Sequence, residues 1–135
     1  MGRLKFEPVN IDGLFIKKLN QIKDERGAVL HMMRLDSKLF EKFGEIYFSI
    51  INQHIVKAWK HHTKITQNFA VPHGEIKLVI YDARKDSATY GSIYEIVTGY
   101  DNYLLIKIPP GLYYGFKGLA NKCSIIANLT DLPHD

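Results

Sequence analysis

The sequence has little cysteine and no long apolar run. Cys123 is the one cysteine among 135 residues, so no disulfide can form within the chain, and no Cys/His spacing typical of a zinc knuckle occurs. No apolar stretch approaches the roughly 20 residues needed to cross a bilayer. The segment Met1–Asn10 mixes Arg3, Lys5 and Glu7 with apolar residues, which argues against a signal peptide. We therefore expect a cytoplasmic protein without a membrane partner.

A long stripe of positive charge is also missing. Lys and Arg number 18 against 14 Asp and Glu, a net charge of +4, and the cations are spread along the chain. The densest group is Lys57, Lys60 and Lys64, with His61 and His62 between them. A local group of this kind suits a small phosphorylated ligand at least as well as a nucleic acid backbone. We predict no nucleic acid partner.

Long helical periods are absent, and short strand-like runs take their place. A chain of 135 residues with 46% hydrophobic and 24% charged residues predicts a single domain over residues 1–135. Seven runs are rich in Ile, Val, Tyr and Phe and are bounded by Gly, Pro, Asn or Asp. They are Glu45–Ile51, Ile55–His61, Gln67–Pro72, Glu75–Tyr81, Ser92–Val97, Tyr103–Ile108 and Lys122–Asn128. Strands at this spacing predict an all-β sandwich or barrel.

The remaining segments are less regular. The polar segment Lys23–Gly27 has turn chemistry and separates two apolar stretches, Val9–Lys18 and Gly27–Met33. A brief helical turn is expected at Lys38–Lys42. The C-terminal residues Asp131–Asp135 are expected to be loose.

The central segment resembles the first motif of cupin barrels. Its ligand positions at i and i+2, and a third five residues later, are Lys60, His62 and Gln67, and the last ligand position of the second motif is Tyr114. Lysine, glutamine and tyrosine do not form a first-row metal site at neutral pH, so we expect a cupin jelly-roll barrel without a metal. Of these four positions, only that of His62 carries a side chain that is a good metal ligand. The alternative is that His62 is a packed core histidine whose nitrogens are satisfied.

A second set of motifs resembles the dTDP-4-dehydrorhamnose 3,5-epimerase family. The family carries an Asp-x-Arg stretch and a Ser-Pro-Thr-Tyr-Gly turn, matched here by Asp82–Gly91. It also carries an Ile-Pro-x-Gly segment followed by Gly-Phe, matched by Ile108–Gly111 and Gly115-Phe116, and an Asp-x-Arg-Gly, matched by Asp24–Gly27. The related sugar 3,4-ketoisomerases share the cupin barrel and are nearer to this chain in length.

The resemblance implies a fold, a partner and a reaction. The fold is a jelly-roll barrel, usually a homodimer that exchanges strands, and the ligand is a nucleotide-diphosphate sugar. The chemistry is proton abstraction beside a ketone, followed by return of the proton to the other face or to a neighbouring atom. Such a reaction needs a base, a group that stabilises the enolate oxygen, and an acid. No cofactor is expected, because the ketone itself takes up the electrons.

The catalytic positions depart from the family pattern. The family's catalytic histidine falls at Lys60, and its acid tyrosine falls at or near Ala127. Lys60 and His62 share a strand face if the segment is extended, so either can be the base, and we favour His62 because its ordinary pKa is close to neutral. Tyr113 or Tyr114 is the expected acid.

Four residues are expected to bind the substrate. Arg26 resembles the family's diphosphate-binding arginine, although an arginine in a polar turn is more often simply solvated. Lys57 also falls at a family arginine, but strand parity places it opposite Lys60 unless a bulge intervenes. Asn52 is either a pocket amide or a turn residue. Gln67 completes the set, whereas Trp59 and Phe69 are expected in the core.

Two functions therefore remain open at this level. The first is an epimerase or isomerase of a nucleotide-linked 4-keto sugar, for deoxysugar or surface polysaccharide biosynthesis. The second is a non-catalytic cupin that binds a sugar nucleotide or another small anion, or an inactive epimerase homologue. The pairing of Lys60 with His62, and the two tyrosines, favour the enzyme. The exchange of both family catalytic positions favours the binding protein.

Overall fold

The computed structural model describes residues 6–134, and this part of the chain is all-β, without helix. Its twelve strands are β1 (Phe6–Pro8), β2 (Phe15–Lys18), β3 (Gln21–Asp24), β4 (Gly27–Leu30), β5 (Glu45–Asn52), β6 (Val56–His61), β7 (Gln67–His73), β8 (Glu75–Tyr81), β9 (Ile93–Gly99), β10 (Leu104–Ile108), β11 (Tyr113–Gly118) and β12 (Cys123–Thr130). No helix that could span a membrane is found within the described range.

Two antiparallel sheets form the predicted jelly roll. The larger has the order β1-β2-β10-β7-β12-β5 and the smaller the order β6-β11-β8-β9, while β3 and β4 form a separate hairpin. From β5 onward the chain passes repeatedly between the two sheets, and only β8 and β9 are consecutive strands of the same sheet, where they pair as a hairpin. The apolar side chains between the walls make the main core, which includes Leu14, Phe69, Leu78, Ile106 and Phe116.

The seven predicted runs match strands β5 to β10 and β12, with ends that differ by two residues at most. Strand β11 was missed, because Gly115 and Gly118 within Tyr113–Gly118 have the composition of a turn. Both glycines are needed for close approach: a Cβ on Gly115 would lie 2.7 Å from Ala58 Cβ, and one on Gly118 would lie 2.5 Å from the Asn52 carbonyl oxygen.

Two local predictions were wrong. The segment at Lys38–Lys42 is not helical. A single turn lies at its start, closed by the hydrogen bond that the Phe40 N–H donates to the Ser37 carbonyl at 3.1 Å. The C-terminal segment is docked rather than loose. The Thr66 N–H donates to Asp131 Oδ1 at 2.8 Å, and the His134 N–H donates to Glu45 Oε1 at 3.0 Å. Asp135 lies outside the described residues.

The Asp82–Gly91 motif forms a turn around a buried carboxylate. Asp82 Oδ2 accepts hydrogen bonds from Ser87 Oγ at 2.6 Å and Thr89 Oγ1 at 2.7 Å, and its Oδ1 accepts from Arg84 Nε at 2.9 Å. Arg84 Nη2 also donates to the Asp12 carbonyl at 2.7 Å, which ties the N-terminal segment to the turn. The Arg84 guanidinium, more than any other neighbour, holds the pKa of Asp82 far below its usual range.

Candidate active site

Polar side chains from several strands converge at one end of the space between the sheets. The starts of β5, β7 and β11 meet the ends of β6 and β12 there, because each of these pairings is antiparallel. The side chains brought together are those of Tyr47, Gln67, Tyr114 and Asn128, with His62 and His134 beside them. We refer to these six residues as the interior cluster.

Gln67 connects the interior cluster through one oxygen. Its Oε1 accepts a hydrogen bond from the Tyr114 hydroxyl at 2.9 Å and from Asn128 Nδ2 at 2.8 Å. Gln67 and Tyr114 are only 1% and 2% exposed, and burial raises the pKa of Tyr114. The Tyr114 phenol therefore keeps its proton at neutral pH. The buried Asn128 Oδ1 has no hydrogen-bond partner among the described residues.

His62 lies just after β6 and is half-buried. Its ring centroid is 6.3 Å from that of Tyr114 and 5.2 Å from that of His134. Burial lowers the pKa of His62, and the nearby charges of His134, Lys60 and His61 lower it further. The core alternative does not describe this residue, since its side chain is partly accessible and faces titratable groups rather than the apolar core.

Sequence reasoning missed His134, Glu45 and Tyr47. His134 Nδ1 lies 3.1 Å from Glu45 Oε1, and its Nε2 lies 3.5 Å from the Tyr47 hydroxyl. Tyr47 in turn accepts a hydrogen bond from Asn128 Nδ2 at 3.0 Å. No local signal marks these residues, because His134 is 89 positions from Glu45 in sequence. The alternation of β5, in which Tyr47 and Ser49 are half-buried and Phe48 is exposed, is the only available hint.

A bulge places Lys57 and Lys60 on the same face. Lys60 pairs with Tyr114 and Lys57 pairs with Phe116, but the register shifts between these pairs. Because both partners on β11 point into the interior, both lysines lie on the interior face, which fulfils the condition stated for Lys57. Lys57 Nζ donates to the Ile50 carbonyl at 3.3 Å.

The two tyrosines proposed as acids lie on opposite faces of β11. Tyr114 belongs to the interior cluster, whereas Tyr113 is partly exposed on the outer face, stacked on His61 with ring centroids 4.3 Å apart. Ala127 pairs with the exposed Phe48, so it also faces outward, and the next residue, Asn128, faces inward. The phenol nearest to this part of β12 is that of Tyr47.

Arg26 and Asn52 are not brought to the interior cluster within this chain. Arg26 lies in the exposed turn between β3 and β4, where its Nη2 is 2.6 Å from Asp24 Oδ2. Asn52 is at the far end of β5 from Tyr47, and its carbonyl accepts the Ile55 N–H at 3.3 Å. This agrees with the turn interpretation of Asn52.

Of the two aromatic residues expected in the core, Phe69 is buried there and Trp59 is not. Phe69 is buried and its ring is 5.3 Å from that of Tyr114. Trp59 is 58% exposed on the outer face of the small sheet, where it lines an apolar depression of about 260 Å³ together with Tyr81, Ile93 and Tyr113. The core prediction for Trp59 is therefore wrong, because the strand turns this side chain away from the interior.

A basic groove lies apart from the interior cluster. It has a volume of about 620 Å³, and the basic residues that line it are Lys17, Lys18, His31, Arg34 and Lys38. Within residues 6–134, no three His, Cys, Asp or Glu side chains are grouped so that they could hold a metal ion. The interior cluster offers proton chemistry through the half-buried imidazole of His62 and the protonated phenol of Tyr114. Lys57 and Lys60 lie on the same interior face.

The fold and this cluster define a cupin whose interior is equipped for acid–base chemistry. Residues 8–134 match the family described as dTDP-4-dehydrorhamnose 3,5-epimerase, and the chain belongs to this family. The match confirms the resemblance read from the motifs. It also confirms the predicted class of enzyme, a nucleotide-sugar epimerase or isomerase.

Individual relatives agree with this assignment. A solved structure of a dTDP sugar isomerase from Desulfovibrio desulfuricans G20 has a TM-score of 0.93 and 46% identity, and covers 96% of this chain and 83% of that one. The spore coat polysaccharide biosynthesis protein SpsL of Bacillus subtilis (strain 168) is 33% identical over 125 residues, 93% of this chain and 83% of that protein. A probable low-salt glycan biosynthesis epimerase, Agl13 of Haloferax volcanii, is 32% identical over 121 residues, 88% of this chain and 78% of that protein.

Proposed function

We propose that this protein removes and returns a proton beside the ketone of a nucleotide-diphosphate 4-keto sugar, in the biosynthesis of a deoxysugar or a surface polysaccharide. The observation that carries the proposal is His62, which is half-buried and faces the protonated phenol of Tyr114. The family membership and the names of the relatives SpsL and Agl13 support this substrate class and this biosynthetic role.

Each group has a defined task in the proposed reaction. His62 accepts the proton from the carbon next to the ketone. The C–H electron pair forms a C–C double bond, and the π pair of the carbonyl moves onto its oxygen to give the enolate. Lys60 stabilises the resulting enolate oxygen, since the one proton of the Tyr114 hydroxyl is donated to Gln67 Oε1. Return of a proton to carbon from an exchangeable donor restores the ketone, so no cofactor is consumed. Lys57, on the same face, is the proposed contact for the diphosphate.

Deuterium exchange tests the proposed base. The wild-type protein should transfer solvent deuterium to the carbon beside the ketone of a 4-keto sugar nucleotide. His62→Asn should abolish exchange with a modest effect on binding, because the amide cannot accept the proton. Lys60→Met should weaken both exchange and binding. Mass spectrometry reads the exchange, and titration calorimetry reads the binding.

The neighbouring residues offer matched controls. Tyr81 and Tyr113 lie on the outer face, where they line the same apolar depression, so Tyr81→Phe and Tyr113→Phe should keep the wild-type exchange rate. Exchange that survives in His62→Asn but is lost in Lys60→Met would make Lys60 the base. If a panel of dTDP-linked 4-keto sugars binds to the wild-type protein without any exchange, the enzyme proposal fails and a binding protein remains.

We also propose a homodimer, in a cytoplasmic protein. Strand β5 is an edge strand of the larger sheet, and Ile46, Phe48 and Ile50 project from its outer face while being 47–64% exposed. Monomeric proteins rarely expose a contiguous apolar patch of this kind on an unpaired edge. The turn that carries Arg26 is exposed, and Arg26 pairs with Asp24 of the same turn rather than with the interior cluster of its own chain. We propose that this turn acts in the site of the partner.

A further inference from the structure

The docked C-terminal segment brings an ion pair to the interior cluster. His134 is bound twice to Glu45 Oε1, through its main-chain N–H at 3.0 Å and through Nδ1 at 3.1 Å. These two hydrogen bonds hold the pKa of Glu45 below its usual value. Nδ1 must carry a proton to donate to the carboxylate, which leaves Nε2 facing the Tyr47 hydroxyl. The ring of His134 is thereby fixed in position.

The fixed ring of His134 stands edge-on to His62. Their centroids are 5.2 Å apart at an interplanar angle of 79°. Two imidazolium ions at this distance repel each other, so protonation of one disfavours protonation of the other. Of the two rings, only His134 has a carboxylate as hydrogen-bond partner among the described residues. The positive charge of the pair therefore belongs on His134.

We propose that His134, held by Glu45, is a positioning residue that carries the charge of this histidine pair and keeps His62 neutral. His134 acts through His62 and does not itself touch the sugar. The consequence for catalysis rests on the proposed function, in which neutral His62 is the base. The electrostatic relation between the two rings does not depend on that function.

The other titratable groups around His62 and His134 are positive or neutral beside His62, and negative or neutral beside His134. On the side of His62, Lys60 and His61 add positive charge, and Tyr114 on β11 is a protonated phenol. On the side of His134, Glu45 is the negative group, and burial raises the pKa of Tyr47, which stays neutral. Lys60 and His61 remain present when His134 is replaced, so a change seen in such a variant reports on His134 alone.

Nuclear magnetic resonance titration of the imidazole nitrogens tests the proposal on the full chain without substrate. Uniformly ¹⁵N-labelled protein is titrated from pH 4.5 to 9, and the signals of His62 and His134 are assigned by their loss in His62→Asn and His134→Gln. In His134→Gln, the midpoint of the His62 titration should rise by about half a pH unit or more, because a charge near 5 Å has been removed. His73→Gln, which removes a histidine at the exposed end of β7, should leave that midpoint unchanged.

A charge-conserving variant separates electrostatics from packing. His134→Lys keeps a cation beside Glu45 and should hold the His62 midpoint below that of His134→Gln. An unchanged His62 midpoint in His134→Gln, or equal midpoints in the Gln and Lys variants, would overturn the proposal.

Activity provides a separate readout. If the wild-type protein exchanges deuterium, the acid limb of kcat/KM for His134→Gln should move upward in pH by the same amount as the His62 midpoint, with the rate at high pH largely kept. If no 4-keto sugar nucleotide shows exchange, the proposed function fails, while the titration still decides the role of His134.

Discussion

Gln67 is the residue on which the geometry of the interior cluster depends most directly. A single buried oxygen accepts from Tyr114 on the smaller sheet and from Asn128 on the larger one, and so joins the two walls. Because both donors are aimed at Gln67, the Tyr114 phenol is held with its oxygen at a fixed place. Loss of this acceptor leaves buried donors unpaired, which costs about 1–3 kcal/mol.

A double-mutant cycle measures this connection. Gln67→Met should lower the free energy of unfolding by about 2 kcal/mol, and Tyr114→Phe by about 1 kcal/mol. In the double variant the Tyr114 hydrogen bond is counted once, so the total loss should fall short of the sum by at least about 0.5 kcal/mol. Urea unfolding at pH 7 gives the four values, with the outer-face Tyr113→Phe as the near-neutral control. Strict additivity would show that the two side chains are not coupled.

Two local elements decide where the chemistry can take place. The bulge in the β6–β11 pairing turns Lys57 to the same face as Lys60, although two strand residues three apart would ordinarily face opposite ways. The turn at Asp82–Gly91, the most family-specific motif of the sequence, is structural. The Asp82 carboxylate accepts hydrogen bonds from Arg84, Ser87 and Thr89 of the same turn. None of these residues belongs to the interior cluster.

Asp82→Asn tests the turn. The variant should lose about 2–4 kcal/mol of stability at pH 7, since a buried, multiply bonded carboxylate is replaced by a group that accepts fewer of these bonds. The pKa of Asp82 is depressed by folding, so its contribution is present above its unfolded pKa of about 4 and is lost as the pH falls towards the folded value. The difference between wild type and variant should therefore shrink between pH 5 and pH 2.

Thermal unfolding across that pH range measures the effect. The exposed Asp86 in the same turn supplies the control, and Asp86→Asn should follow the wild-type curve. A constant difference between wild type and Asp82→Asn at every pH would contradict the assigned role of the carboxylate.

The whole molecule has an apolar surface that one chain leaves uncovered. The outer face of the edge strand β5 exposes Ile46, Phe48 and Ile50, and the β3–β4 hairpin exposes Ile22 and Val29 at about the same level. If two chains associate through β5, burial of these side chains from water supplies the driving force.

Phe48→Lys tests the dimer. Light scattering should show a dimer for the wild-type protein at micromolar concentration and a monomer for the variant, because a charge replaces a side chain that is 64% exposed in one chain and that the proposed pair would bury. Ile93 has a similar exposure on β9, which is an edge strand of the smaller sheet, and the Ile93→Lys variant should remain dimeric. Dissociation by Ile93→Lys alone would place the interface on the smaller sheet, and a monomeric wild type would end the dimer proposal.

The strands were predictable because their information is local. Alternating or continuous Ile, Val, Tyr and Phe between turn residues describes β5, β8 and β10 almost to their ends. His62, Lys60, Gln67 and Tyr114 were found from the resemblance to the cupin motifs and to the epimerase family, and the structure places His62, Gln67 and Tyr114 in one cluster with Lys60 on the same face. Strand β11 was missed because its glycines allow close contacts with β6 and with the end of β5, which lie more than fifty residues earlier in the chain.

The rest of the site depended on which strands become neighbours. Asn128 reaches Gln67 across 61 positions and His134 reaches Glu45 across 89, and no local pattern encodes such distances. The face of Lys57 was decided by a bulge. Tyr113 and Tyr114 lie on opposite faces because side chains alternate along β11, and the packing of the smaller sheet against the larger decided that the Tyr114 face is the interior one. Residue type and periodicity are properties of short segments, and they specify strands, class and individual chemistry. Side chains meet only after the sheet order is set by burial over the whole chain, and that is why His134 enters the site from a tail that looked unstructured.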